Sequence, residues 1–396
     1  MLHTLDHPIS RIGTHSVKWE RYRDTRVIPM WVADMDLPVA SQIQEAVRSR
    51  TGHPIFGYTA PSPELVTAVC QALRREYAWE IDPRWIVWLP GTLPGVSAGC
   101  RAFSEKGDEI LFTTPAFSEF FRMVRLSGRT ALTVPMTRAE GRWTLDLSRL
   151  RESITPRTKV MLLCSPNNPT GTVFTIEELQ ALGELCAEKG LIILSDEVHS
   201  GLVLAPGKHH VPTAIACPAN ADSLVTLMSP SKTYNLGGLN CAYAIIQNEA
   251  LKSRFIAECE GFGIMPAASA LPYVAAVAAY RDSDKWHQGV LSYLWDNYLY
   301  LEDRIARVES IEITPLEATY LAWLDVSALK LPKPAEFFEV HGVGMSCGDS
   351  FGAPGFLRMN FACPRNTLKT ALDRIEAAIG TLRAGEKPIA TGAYQD

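Results

Sequence analysis

Three short apolar runs that each break off at a polar turn constrain this chain more than anything else in its sequence. Residues 158–164 end in Ser165-Pro166-Asn167-Asn168-Pro169-Thr170-Gly171, residues 191–194 in Ser195-Asp196-Glu197-Val198-His199, and residues 223–228 in Ser229-Pro230-Ser231-Lys232. Runs this short and this apolar read as strands buried on both faces. Between the first two lies a helix signature. Thr175-Ile176-Glu177-Glu178 is a capping box, Ile176, Leu179, Leu182 and Cys186 share one face, and Gly190 closes the helix. Strand, helix and strand in that order form a parallel crossover unit, which delivers both loops to the same sheet edge. An amide (Asn168), a carboxylate (Asp196) and an amine (Lys232) are therefore predicted to meet at one edge of one sheet, where open α/β sheets bind ligands.

Two further turns belong to that edge. Residues 85–89 read as a strand leading through Pro90-Gly91-Thr92-Leu93-Pro94-Gly95 into a helix that runs to Phe103. Free N–H groups and the positive end of the helix dipole at Gly91, Thr92 and Leu93 suit an anion. Neither G-x-G-x-x-G nor G-x-x-x-x-G-K-[ST] occurs there, which removes support from dinucleotide and nucleoside-triphosphate folds. Residues 109–112 read as another strand and bring Phe117 to the edge. Upstream, residues 29–38 mix apolar and aromatic side chains with Asp34 and Asp36, and read equally as an arm packed on the surface or as a segment lining the substrate. Ser62 caps a helix that starts at Pro63 and runs to Tyr77. Beyond Asp284, a helix over 286–308, strands at 319–324 and 355–361, and a helix near 367–382 read as a small α+β unit, with residues 385–396 as a frayed tail.

Composition decides what meets that edge. A net charge of -5 over 396 residues, with the signs interspersed, leaves no basic stripe, so neither nucleic acid nor an anionic membrane is expected as a partner. The nine cysteines are odd in number and contain no C-x-x-C pair, which argues against a disulfide framework or zinc ribbon and for a reducing, cytoplasmic setting. Cys347 and Cys363 read as small packing residues. The first ten residues hold no apolar signal core, and no run reaches the roughly 18 apolar residues a membrane span needs. Asp196, Glu197 and His199 lack a second cluster at matching spacing, so no metal is expected. A small molecule is left as the ligand.

A lysine forms an imine only with a carbonyl partner, and the hydroxyls of Ser229 and Ser231, with the helix start at Gly91 and Thr92, suit a phosphate on that partner. Pyridoxal 5'-phosphate carries both groups. Its ring nitrogen draws electrons only when protonated, which a carboxylate such as Asp196 secures, while Asn168 suits the phenolic oxygen and Phe117 one ring face.

These residues carry a resemblance. Asn168-Pro169-Thr170-Gly171, Asp196-Glu197-Val198-His199, Ser229-Pro230-Ser231-Lys232 and Phe356-Leu357-Arg358-Met359-Asn360 together resemble the fold-type I aminotransferase superfamily (class I/II). The intervals agree with it: 28 residues from Asn168 to Asp196 and 36 from Asp196 to Lys232. Within the superfamily the chain is similar to the MalY/PatB branch of cystathionine β-lyases, at 30–37, at Gly57-Tyr58-Thr59, at His199, at 317–325 and at 358–365.

The resemblance implies an α/β fold: a large cofactor-binding domain with a mostly parallel seven-stranded sheet flanked by helices, plus a small α+β domain. It implies an arm over 1–50, the large domain over 51–285 and the small one over 286–396. By the same resemblance Lys232 is the Schiff-base and catalytic lysine, Asp196 the partner of the ring nitrogen, and Asn168 the partner of the phenolic oxygen at the substrate side. Gly91, Thr92, Leu93, Ser229 and Ser231 hold the phosphate, and His199 is a hydrogen-bonded supporting residue rather than an acid or base. Arg358 clamps the substrate α-carboxylate with backbone help near Ala33, and Tyr58 reaches the cofactor and substrate of the neighbouring subunit in a homodimer. The implied reaction is α,β-elimination on cysteine S-conjugates, giving pyruvate, ammonia and a thiol. An aminotransferase is the alternative enzyme, and regulatory protein binding is the alternative outside enzymology. Three departures stand out: Phe117 where the branch commonly has Tyr, Asn240 where many aminotransferases carry a phosphate-binding Arg, and residues 345–349, whose difference from the usual loop leaves the substrate's size open.

Overall fold

The computed structural model describes residues 5–23, 25–265 and 269–384. The predicted tail from residue 385 lies outside them. Seven strands form the main sheet: β1 (Ile86–Leu89), β2 (Glu109–Thr114), β3 (Thr130–Pro135), β4 (Thr158–Cys164), β5 (Ile192–Asp196), β6 (Leu224–Met228) and β7 (Ala242–Ile245). Their spatial order is β1-β7-β6-β5-β4-β2-β3. β7 runs against both of its neighbours, and the other pairings are parallel. Pleating sends Phe112, Val160, Leu162, Leu194, Val225 and Leu227 into one core cluster and Leu111, Met161, Leu163, Ile193 and Leu224 into another. Burial on both faces is why these strands read as unbroken apolar runs instead of alternating ones.

Helices cover both faces. α1 (Pro63–Tyr77) begins at the predicted cap, where Ser62 Oγ accepts from the Leu65 N–H. α2 (Thr92–Ala102) lies close on the sheet because Gly95 and Gly99 share its inner face. A Cβ at Gly95 would sit 2.8 Å from Leu89 Cδ1 and 2.9 Å from Leu227 Cδ2, and one at Gly99 2.7 Å from Leu194 Cδ2. α3 (Ile176–Lys189) carries the complete capping box and ends at Gly190 with φ 65°. Ile176 departs from expectation: it stands at the first helical position, before the apolar stripe meets the sheet, and is 43% exposed.

A second, antiparallel sheet follows, built from β8 (Glu312–Ile313), β9 (Leu321–Asp325), β10 (Ser346–Cys347) and β11 (Phe356–Asn360) in the order β8-β9-β11-β10. α4 (Asp284–Ala306) and α5 (Arg365–Arg383) pack against it in one cluster that also takes in Met30, Met35 and Leu37 of the arm. The arm is thus part of the core, not a surface strap. Ile28–Pro29 pairs in parallel with Val343–Gly344. Lys18, 1% exposed, donates to Asp36 at 2.8 Å, and Arg11 bridges Asp34 and Asp36 at 2.7 Å each. Among the described residues no helix is long and apolar enough to cross a membrane. The nine cysteines are free thiols.

Candidate active site

The three predicted groups leave consecutive strands. Asn168 lies four residues past β4, Asp196 is the last residue of β5, and Lys232 lies four residues past β6. β5 runs two residues beyond the predicted end because Asp196 still pairs with Cys164 on one side and Leu227 on the other. Asp196 is 3% exposed and its Oδ1 accepts from the Val198 N–H at 3.2 Å. Burial pushes its carboxyl up to about 7, against the opposing pull of that N–H and of the Lys232 charge. The Lys232 amine, enclosed while its stem stays partly open, donates to the Ala33 carbonyl at 2.7 Å. Burial, followed by the positive charge of Arg358, pulls it down to about 8.

Arg358 arrives from β11. Its Nη1 donates to Asn168 Oδ1 at 2.9 Å and its Nη2 to the Trp31 carbonyl at 2.8 Å, while the buried Nε–H has no acceptor. Burial lowers the guanidinium to about 10. His199 is 2% exposed, and burial, then the Lys232 and Arg358 charges, hold its imidazole down near about 3, so it is neutral. Its buried Nδ1 has no hydrogen-bond partner among the described residues.

The arm threads between these groups, and side chains from distant elements hold its carbonyls. Tyr320 O–H donates to Ala33 O at 3.1 Å, beside Lys232. Asn360 Nδ2 donates to Val32 O and Asp34 O at 2.5 and 2.6 Å, and Ser346 Oγ to Trp31 O at 3.1 Å. Asn235 Nδ2 donates to Met35 O and Leu37 O at 3.0 Å each, and its Oδ1 accepts from Met35 N. Gly171 has φ +72°, and a Cβ there would sit 2.8 Å from Ala318 O. That close approach lets Gly171 O accept from Ala318 N at 2.8 Å and fixes the Asn168 turn against the segment entering β9.

Comparison with known proteins decides what kind of enzyme has this edge. The sequence matches the family "Aminotransferase class I and II" over residues 29–375. The chain belongs to that family. It is 34% identical over 380 residues to "Cystathionine beta-lyase PatB" of Bacillus subtilis (strain 168), covering 93% of this chain and 98% of that one. Among solved structures, OvoB superposes with a TM-score of 0.92 at 37% identity, covering 94% of this chain and 98% of OvoB. Cystalysin from Treponema denticola, which contains a pyridoxal 5'-phosphate cofactor, superposes with a TM-score of 0.92 at 29% identity, covering 96% and 99%. The chain is thus a fold-type I enzyme of the PatB/MalY-like carbon–sulfur lyase branch.

The residues fit the pyridoxal phosphate on which this class of enzyme depends. Asp196 is a buried carboxylate with no cation in contact among the described residues, and a protonated ring nitrogen is the cation that reconciles it with burial. His199 Nδ1 and Ser165 Oγ are further buried polar atoms without partners beside the same strand ends. The first N–H groups of α2, at Thr92 and Leu93, have no acceptor within the helix, and Gly95 lets that first turn settle over Leu227 on the strand leading to Lys232. Phe117 is half-buried at the same edge, edge-on to Phe120 at 5.8 Å.

Ser229 Oγ donates to Cys241 O at 2.6 Å and accepts from Ser231 N at 3.0 Å, which ties the start of the Lys232 loop to the strand that follows it. Asn240 is exposed at φ 50°. Tyr58 is 95% exposed. Cys347 is partly exposed with its Sγ donating to Asp349, while Cys363 is buried. Sequence reasoning assigned no role to Trp31, Asn235, Tyr320, Ser346 or Asn360. Asn360 alone left a readable signal, since it stands two residues after Arg358 and so faces the same side of β11.

Proposed function

We propose that the enzyme catalyses α,β-elimination on S-substituted cysteines, releasing pyruvate, ammonia and a thiol. The observation that carries this reading is the single carboxylate clamp beside the amine. Arg358, hydrogen-bonded to Asn168 and to the Trp31 carbonyl, is the guanidinium placed at this edge with its charge felt at Lys232, and one such clamp matches one α-carboxylate. The lyase names borne by relatives such as PatB support it.

In this reading Lys232, Asp196, Asn168, Phe117 and the start of α2 hold pyridoxal phosphate, which when bound supplies an electron sink for the charge left at Cα. Arg358 receives the substrate carboxylate on its unpartnered Nε–H, with Nη1 and Nη2 anchored on Asn168 and the Trp31 carbonyl. Lys232 removes the Cα proton. Depressed to about 8, its amine carries a useful neutral fraction near neutral pH, which an ordinary lysine does not. Asp196 keeps a proton on the ring nitrogen throughout. Enclosure of these groups excludes water until the thiolate has left Cβ, after which the three-carbon remainder hydrolyses to pyruvate and ammonia.

The test is a product balance. An S-substituted cysteine such as cystathionine is expected to give pyruvate, ammonia and thiol in equal amounts with no added keto acid, and alanine with 2-oxoglutarate to turn over little. Sustained glutamate formation from alanine, with no thiol from cystathionine, would replace this reading with transamination.

We also propose that the enzyme is a homodimer with composite sites and that the chain divides into an arm (1–50), a cofactor domain (51–285) and a small domain (286–396). Ile55, Phe56 and Tyr58 form one exposed stretch, 66%, 62% and 95% accessible, an apolar run that a second copy would bury. Sedimentation should show a dimer, and Tyr58→Ala should weaken cofactor retention. A catalytically active monomer would end this assignment.

A further inference from the structure

The turn over 348–353, at the end of the stretch that departs from the usual loop, touches the carboxylate clamp directly. We propose that Phe351 is a positioning residue for Arg358, holding its guanidinium edge-on to the substrate and so making the enzyme selective for amino acids with a free α-carboxylate. This rests on the reading of Arg358 as the clamp.

The Phe351 ring lies over the guanidinium, with Cζ 4.8 Å from the ring centroid. Both side chains are buried, at 2% and 5% exposure. Among the described residues Arg358 has no carboxylate in contact; its polar partners are the neutral Asn168 Oδ1 and Trp31 O. Two hydrogen bonds from Nη1 and Nη2 still allow the plane to rock, and a ring against its face stops that motion while leaving the N–H edge free. A desolvated guanidinium also gains from the ring's negative face, more than an exposed one does.

The ring is itself held. It meets Trp323 edge-on at 5.6 Å and 66°, and Trp323 stacks on Phe356 at 5.2 Å and 11°. The backbone admits no slack. A Cβ at Gly348 would fall 2.3 Å from Ala353 O, and Gly352, at φ +76°, places its Cβ position 3.1 Å from Thr114 Cγ2 at the end of β2. Phe351 O accepts from Ala116 N at 3.0 Å, one residue before Phe117. The guanidinium plane is therefore registered against the sheet that carries Lys232 and Asp196. Cysteine conjugates whose carboxyl is blocked, such as those extended by a C-terminal residue, would present an amide to this edge and are the class it rejects.

The experiment titrates holoenzyme with L-alanine and with L-alaninamide, reading affinity from the bound cofactor's absorbance and recording cofactor content and melting temperature for each protein. Arg358→Ala should lose the preference for acid over amide by roughly ten- to a hundredfold. Phe351→Leu should lose about tenfold of that preference with amide affinity and cofactor content unchanged. Phe351→Tyr, which keeps the ring face, should retain it. Phe356→Leu perturbs the same aromatic cluster without touching the guanidinium and should lower the melting temperature only. If Arg358→Ala abolishes the preference but Phe351→Leu keeps it, or weakens acid and amide alike, the role of Phe351 is overturned. If Arg358→Ala itself keeps the preference, the clamp reading fails and this proposal with it.

Discussion

A Lys232→Ala protein is expected to fold, to bind pyridoxal phosphate without a covalent bond, and to lose elimination activity by about a thousandfold or more, since one side chain acts as both covalent anchor and general base. Folding should survive because the amine makes one hydrogen bond, to Ala33 O, and burial works against its charge. The sign follows from its lowered folded value of about 8. The folded state sheds this proton before the unfolded chain does, so the penalty is full below about pH 8 and fades as the pH rises towards the ordinary 10.5. Borohydride reduction followed by peptide mass analysis checks the claim. A reducible cofactor bond found at another lysine of the variant would remove Lys232 from its role.

Asp196→Asn is expected to separate activity from stability. Activity should fall by about a hundredfold or more, because an amide cannot hold the ring nitrogen in its protonated form. The cofactor-free variant should nevertheless melt above its parent at pH 8. Asp196 has its folded value raised from 3.8 to about 7, so the stability associated with its neutral form is present below about pH 4 and is lost as the pH rises through about 7. Roughly 4 kcal/mol is the upper bound of that loss, at about 1.4 kcal/mol per unit. His199 runs the other way. Its folded value is lowered from 6.5 to about 3, so it withholds stability at acid pH and returns it as the pH climbs towards 6.5. In the parent the two trends oppose each other between about pH 4 and 6.5, and the variant should expose the rising His199 trend alone. Equal melting temperatures of the two cofactor-free proteins at pH 8 would show that Asp196 is not desolvated and that the argument for its ring-nitrogen partner is unsound.

The crossover unit from β4 through α3 to β5 was legible residue by residue, because each of its determinants acts locally. Two-sided burial demands continuous apolar strands, and the Thr175–Glu178 box satisfies helix N–H groups within one turn. Once the strands are parallel, placing Asn168, Asp196 and Lys232 at one edge follows from connectivity alone. Resemblance added Arg358, whose strand reads as an ordinary one from its composition.

Other parts of the site left no such trace. Residues 29–38 could be read as surface or lining with equal justice, since what holds them is a row of backbone carbonyls, and carbonyls have no letter in a sequence. Their donors stand far away in the chain: Asn235 is 200 residues from Met35, and Asn360 is 328 from Val32. Ser229 is held in the same way, its hydroxyl donating to Cys241 O, another carbonyl that no letter announces. The sequence by itself determined the strands, the caps and the set of reactive groups, because those depend on neighbours within a few residues. Only the tertiary structure decided where the arm lies, which carbonyl faces Lys232 and what ring backs Arg358, because those depend on hydrogen bonds and close packing between segments that meet only when both sheets have formed.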